Sequence, residues 1–292
     1  MDIGFVILHY KTINDTESCV DSIRKKCVGI NYAIIIVDNA SPDNTYNDLQ
    51  KLYNNSSDVV LIHNEKNEGF AKGNNVGIRY LRDKFDPDYI CVMNSDIVLL
   101  DNNLLQHLEY AYKKYTFSVL GPLVFQPNGI CKSNPLKVNV DLKEIRRCRK
   151  ELIWERRFLR MNIYIVWKLF SKIKHKKSFD SNNYGYPLFL KVSEDVVLHG
   201  CCMFFSKKYF EKFPGFDERT FLYYEEDILY THCKNNSLTM LYYPYISVLH
   251  NQGGSTNTDK NEKRKMLFVT DQCMKSLNVL EIIYNDYQNN KN

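Results

Sequence analysis

The stretch YAIIIVDNAS, residues 32–41, is an unbroken apolar run that stops at Asp38 and passes into turn-forming residues. A strand buried on both faces reads this way, whereas a strand with one wet face alternates apolar and polar positions. Three neighbours share the character: the run Ile3 to His9, DVVLIHN at 58–64 and DYICVMNSD at 88–96. Helix-compatible segments lie between them. The first is capped at Asn14 or Asp15 and carries Cys19, Val20 and Ile23 on one stripe; a later one spans Gly73 to Lys84 after a glycine-rich turn. This alternation predicts an α/β fold with a mainly parallel central sheet flanked by helices.

In such sheets ligands sit outside the carboxyl ends of the strands. The polar strand endings Asp38, Asn67 and Asp96 are therefore expected to line one crevice. Asp38 reads as an acceptor for a nucleobase or ribose, or equally as a turn aspartate beside Ser41-Pro42-Asp43. Gly69, Gly73 and Gly77, spaced by four around Asn74 and Asn75, would let a backbone approach a phosphate or sugar, although the segment is no phosphate-binding P-loop. Asn94 and Asp96 stand one residue apart, so both could point to one side of a strand end. Hard divalent ions are held by one or two carboxylates plus substrate phosphates, and a single acid here would depend on a diphosphate.

Downstream, Glu225-Glu226-Asp227 follow the aromatic stretch Phe221 to Tyr224. Burial and mutual repulsion raise a carboxylate's pKa toward general-base duty, but acids are also favoured at any helix N-terminus. His250 ends the apolar run LYYPYISVLH and could ligate a metal or serve only as a structural histidine.

In this order the motifs resemble the inverting glycosyltransferases of the GT-A fold, family 2, in particular their rhamnosyl-type members in bacterial polysaccharide assembly. The residues that carry the resemblance are VILHY (6–10), VDNAS (37–41), NEGFAKGNNVGI (67–78), MNSD (93–96), HGCCMFF (199–205), FDERTFLYYEED (216–227) and LHNQGGS (249–255). They cover roughly residues 1 to 130 and 195 to 256. The resemblance implies a donor site of Tyr10, Asp38, Asn67, Gly69, Phe70, Asn75, Asn94 and Ser95. It implies an acceptor side at His199, Gly200 and Cys201, and Mn²⁺ or Mg²⁺ held by Asp96 with help from His250. The catalytic base falls on Glu226, or on Asp227 if the register slips by one, with Glu225 alongside. The donor would be a UDP- or dTDP-linked sugar, the acceptor a glycan or lipid-linked saccharide, and the setting surface polysaccharide assembly such as O-antigen or capsule.

The net charge of +5 is uneven: Lys143 to Lys177 holds 13 Lys/Arg against three Glu, leaving the rest of the chain acidic. This basic helical insertion, with Trp154 and Trp167, is expected on an anionic membrane surface or packed by its apolar stripe on the domain. Acidic strand ends and the absence of a recognition motif argue against nucleic acid. A sugar-phosphate nucleotidyltransferase would call for a basic glycine-rich N-terminal loop, which is missing. Nine cysteines without a CxxC pair, no long apolar span and no basic leader ahead of the first strand point to a cytoplasmic protein, peripheral on the inner face of the plasma membrane. The expected organisation is a donor half (1–130), the basic insertion (131–195), an acceptor and catalytic half (196–256) and a C-terminal helical segment with a frayed tail (257–292).

Overall fold

A computed structural model describes residues 1–130, 134–136, 141–161, 189–251 and 262–289. The first four strands are β1 (Ile3–His9), β2 (Tyr32–Asp38), β3 (Val59–His63) and β4 (Tyr89–Asn94). Alternating with them are α1 (Ile13–Lys26), α2 (Thr45–Tyr53) and α3 (Gly69–Lys84). Then follow β5 (Ile97–Leu99), α4 (Leu104–Tyr115), β6 (Val119–Gln126), β7 (Gly129–Ile130) and α5 (Leu142–Arg160). The remainder is β8 (Ser193–Glu194), β9 (Cys202–Ser206), α6 (Lys207–Phe210), α7 (Glu225–Asn235), β10 (Met240–His250) and α8 (Glu262–Asn289).

The strands join in one sheet of order β3-β2-β1-β4-β9-β6-β10-β5, with β7 on β6 and β8 on β10. From β3 to β4 all pairings are parallel; β9 runs antiparallel between β4 and β6, and β10 is parallel to β6. The predicted parallel α/β sheet is thus present, extended by antiparallel strands. Their apolar runs fill two layers. Ile3, Phe5 and Ile7 face the side of α1, α2 and α4, where Cys19, Val20 and Ile23 are fully buried; Val6, Ile35 and Val37 face α3.

Some local expectations shift. Helix α1 starts at Ile13, and Thr12, not Asn14 or Asp15, takes the N-cap position. Helix α3 begins at Gly69, four residues before Gly73. Strand β6 passes straight through Gly121-Pro122, because its pairing with β9 ends at Leu120 and no donor is needed from Pro122 on that side. At the C-terminus α8 is helical to Asn289, well into the segment expected to fray.

Of the cationic stretch 143–177 within the insertion, residues 143–161 are described and 162–177 lie outside the described residues. Helix α5 packs on α8 through Ile145, which joins Leu277, Leu280 and Ile283 with Ile228 of α7 in a separate small core. Arg156 pairs with Asp271 at 2.7 Å, and Arg146 and Arg149 pair with Glu281. Cationic charge on α5 is thus partly met by acids on α8, while Trp154 stays 52% exposed beneath the Arg157 guanidinium. No helix among the described residues is long and apolar enough to cross a membrane.

Candidate active site

The carboxyl ends of β2, β1 and β4 are neighbours in the sheet, so the loops after them meet at one edge. A hydrogen bond of 3.0 Å between Thr12 Oγ1 and Ser95 Oγ ties the β1 loop to the β4 loop. Asp38 is buried; it accepts the Ser41 N–H and pairs with His63 Nδ1 at 2.7 Å. The His63 ring lies 4.4 Å from Tyr46, forming an aromatic platform beside the carboxylate. Tyr10 carries Lys11 over its ring.

Asn39 organises the turn beyond. Its Nδ2 donates to Asn67 Oδ1 and to the Gly69 carbonyl, and its Oδ1 accepts from Asn64 and from the Glu68 N–H. Asn67 in turn accepts the Gly69 N–H. At Gly69 φ is +77° and an added Cβ would run into the Phe221 carbonyl, so only glycine fits there. That carbonyl accepts the Phe70 N–H at 2.8 Å. The other glycines serve packing: a Cβ on Gly73 would meet Leu8 at 2.7 Å and one on Gly77 would meet Val6 at 2.6 Å. They let α3 lie close on β1, which replaces the expectation of ligand contact at those two positions. The Asn75 amide is likewise committed, since Nδ2 donates to the Phe216 carbonyl and to Glu218, and Oδ1 accepts the Phe216 N–H. It buttresses the loop before the acidic cluster from within the fold, where the sequence suggested a pocket lining.

At the other side of the crevice β10 pairs antiparallel with β5, placing His250 opposite Ile97, next to Asp96. His250 Nε2 stands 3.2 Å from Asp96 Oδ2, and Asn251 N–H closes onto the Asp96 carbonyl. His250 Nδ1 is buried without a hydrogen-bond partner among the described residues. The His199 ring sits 5.8 Å from the His250 ring. Its Nδ1 accepts the Cys201 N–H, and the Cys201 carbonyl accepts the Asn94 N–H. Burial holds the His199 pKa below its ordinary value, against the opposing pull of Glu226.

Glu226 reaches this group from α7. Its Oε1 accepts the Gly200 N–H at 3.0 Å, and a Cβ on Gly200 would meet that oxygen at 2.5 Å. Two consecutive left-handed residues, Tyr223 (φ 73°) and Tyr224 (φ 66°), turn the chain into the helix. Each such non-glycine conformation costs about 1–3 kcal/mol and persists where its surroundings enforce it. Here Ser276 of α8 holds the Leu222 carbonyl, and Phe221 is fixed on α3. Glu225 is buried with Oε1 unpartnered among the described residues; burial and Glu226 push its carboxyl up to about 7. Asp227 rises to about 7 for the same two reasons.

The structure thus gathers Asp96, His199, Gly200, Cys201, Glu226 and His250 at one point, and Asp38, Asn67, Gly69 and Ser95 around the adjoining turns. Sequence reasoning missed Asn39, His63, Tyr46 and Asn134. Asn134 is fully buried, donates to the Pro122 carbonyl and accepts the His199 N–H, so it sets the loop that presents Gly200. Asn39 lies inside the VDNAS stretch, whereas nothing in the sequence distinguishes His63, Tyr46 and Asn134 from surface aromatics and asparagines.

Fold and site define a glycosyltransferase of the GT-A fold. The chain belongs to glycosyl transferase family 2, whose pattern matches residues 5–213. It is 22% identical over 252 residues to the low-salt glycan biosynthesis hexosyltransferase Agl10 of Haloferax volcanii, covering 86% of this chain and 67% of that protein. A 56-residue stretch is 38% identical to the rhamnosyltransferase WbbL of Escherichia coli, 18% of this chain and 21% of that one. The crystal structure of S. aureus TarS 1–349 matches with a TM-score of 0.51 at 12% identity, over 96% of this chain and 71% of that one. The complex of the same protein with UDP matches at 0.50 and 13%, over 91% and 70%. These two likenesses speak for the fold.

Proposed function

We propose that the chain transfers a sugar, with inversion, from a UDP- or dTDP-linked donor to a hydroxyl of a glycan or lipid-linked saccharide in surface polysaccharide assembly. The observation that carries this is the convergence of Glu226 with the Asp96–His250 pair across Gly200 and His199. A carboxylate thereby lies within reach of the point where a diphosphate would be held. The UDP complex of TarS, a match in fold, supports a nucleotide donor.

Glu226 Oε1 is fixed by the Gly200 N–H, and Oε2 is the oxygen that would take the acceptor proton. As that proton leaves, the acceptor oxygen forms a bond to the anomeric carbon. The bond to the diphosphate breaks on the opposite face, and its electron pair departs with the nucleoside diphosphate. Asp38 with His63 and Tyr46 offers a hydrogen-bonding and stacking site for a base.

Mn²⁺ or Mg²⁺ fits the residues present. Asp96 Oδ2 and His250 Nε2, 3.2 Å apart, are disposed as adjacent donors. No group of three or more His, Cys, Asp or Glu suited to a metal occurs among the described residues, so the donor diphosphate and water would complete the shell. When bound, the ion would neutralise charge on the leaving group. The test is a panel of nucleotide sugars with and without metal, read by thermal shift and by release of nucleoside diphosphate. One nucleotide class should stabilise the protein only with metal, and Asp96→Ala should abolish that effect. A protein that no nucleotide stabilises under either condition overturns the reading.

Residues 143–177 are proposed to meet an anionic membrane on the cytoplasmic face, bringing the site to a lipid-linked acceptor. Exposed Trp154 beside Arg157 supports this. Equal flotation with anionic and neutral liposomes would refute it.

A further inference from the structure

On the far side of β10 from the acid helix, α4 and the middle of β10 enclose a groove of about 470 Å³, within the range of roughly 300–1,000 Å³ typical of ligand sites. Its lining includes four tyrosines, Tyr110, Tyr115, Tyr243 and Tyr245, with Lys114 and Gln106 among them. Tyr243 forms a buried floor, with the Tyr115 ring at 6.5 Å and the Tyr245 ring at 5.2 Å. Tyr110 and Tyr245 are 55% and 61% exposed, so both rings are open to a ligand at the mouth of the groove. Lys114 lies over the rings of Tyr110 and Tyr115.

The backbone is shaped to present these rings. The register between β10 and β6 shifts between Tyr243 and Ser247, a bulge that interrupts the ladder where Tyr245 stands. Bulges re-aim side chains beside binding sites. Edge strand β5 pairs with Val248 to His250, so among the described residues no strand covers β10 on that side at Tyr245. The catalytic crevice uses none of these residues.

We propose that this groove is a saccharide-binding subsite that holds the acceptor glycan at a distance from the reacting hydroxyl. Tyrosine offers an apolar ring face on which the C–H face of a pyranose can lie, together with a hydroxyl for its polar edge, and it loses little rotamer entropy. Gln106 and Lys114 add donors for ring hydroxyls. Tyr245 precedes His250 by five residues on one strand, at most about 16 Å at about 3.3 Å per residue and less across the bulge, a span for a short oligosaccharide. The assignment of the occupant as acceptor rests on the transferase reading; the presence of a sugar site does not.

The experiment uses the full chain on an array of immobilised oligosaccharides, from mono- to hexasaccharides of hexoses and deoxyhexoses. Three proteins are compared: wild type, the double variant Tyr110→Ser/Tyr245→Ser, and Asp96→Asn. The wild type should retain longer glycans in preference to monosaccharides, the double variant should bind them at least tenfold more weakly, and Asp96→Asn should bind as wild type. Release of nucleoside diphosphate from a nucleotide sugar, measured in parallel, should be unchanged in the double variant; that readout reports on the transferase reading independently of the groove. Absence of glycan binding overturns the proposal, as does binding lost in Asp96→Asn but kept in the double variant. A wild type that dimerises while the double variant is monomeric, with no difference on the array, would make the groove an interface between copies and equally overturn it.

Discussion

The Glu226 carboxylate accepts the Gly200 N–H at 3.0 Å, and this bond joins helix α7 to the loop that leads into β9. The glycine is required for it, since any side chain at 200 begins with a Cβ 2.5 Å from the same oxygen. Gly200→Ala is expected to swing the carboxylate away from His199. Acceptor-dependent turnover should fall by one to two orders of magnitude, with Tm moved by only a few degrees and nucleotide-induced stabilisation kept. Turnover near the wild-type level would show that the contact plays no part in catalysis.

Of the two acids considered for the base, Glu226 faces Gly200 and acts electrostatically on His199. Among the described residues Asp227 makes no such link to that loop. Glu226→Gln preserves size and the acceptor for the Gly200 N–H but removes proton acceptance. General-base catalysis contributes typically about 10²–10⁴-fold, and kcat should fall by that amount with donor KM nearly constant. Asp227→Asn should cost less than tenfold. The reverse order of severity would move the base by one residue.

Glu225 and Asp227 make stability depend on pH. Glu225 rises from 4.5 to about 7 because burial, and then Glu226, disfavour its charge. It binds its proton more tightly folded than unfolded. Its contribution to stability is therefore complete below pH 4.5 and is lost as pH rises through about 7; Asp227 behaves alike. Glu225→Gln keeps the neutral form at every pH. It should match wild type near pH 4 and exceed it at pH 8 by up to the order of 3 kcal/mol. Thermal unfolding at the two values decides the matter, and a gap of the same size at both would disprove it.

The sequence makes the central sheet plain, because β1 to β4 are apolar runs that only a doubly covered parallel sheet can bury, and their polar ends mark the crevice. The Asp96–His250 pair follows from the resemblance but from no local pattern. It depends on β5, three residues long and too short for a pattern, aligning with the end of a distant strand. Asn39 and Asn134 work through backbone partners that no side-chain motif announces. The glycines after Asn67 carry a real signal, but close packing of helix on strand and approach to a ligand demand the same missing Cβ. Part of the charge on α5 is met by Asp271 and Glu281, on a helix more than a hundred residues later, a pairing that no local pattern shows.

Helix α8 has a function that its position at the end of the chain would not suggest. Leu277, Leu280 and Ile283 pack on Ile228 of α7 and Ile145 of α5, and Ser276 holds the turn at Leu222. Helix α8 therefore lies between α5 and the acid helix and anchors both, and its Phe268 also meets the Phe221 ring edge-on beside the Gly69 turn. Leu280 is 2% exposed, and Leu280→Ala should destabilise by about 2–5 kcal/mol. Because Asp38 and Asp96 stand on the central sheet while Glu226 rides on α7, the damage should be selective. Turnover should drop further than nucleotide binding when both are measured well below the variant's Tm. Parallel loss of the two would mean that α8 supports the domain as a whole and leaves the placement of the base to the Tyr223–Tyr224 turn.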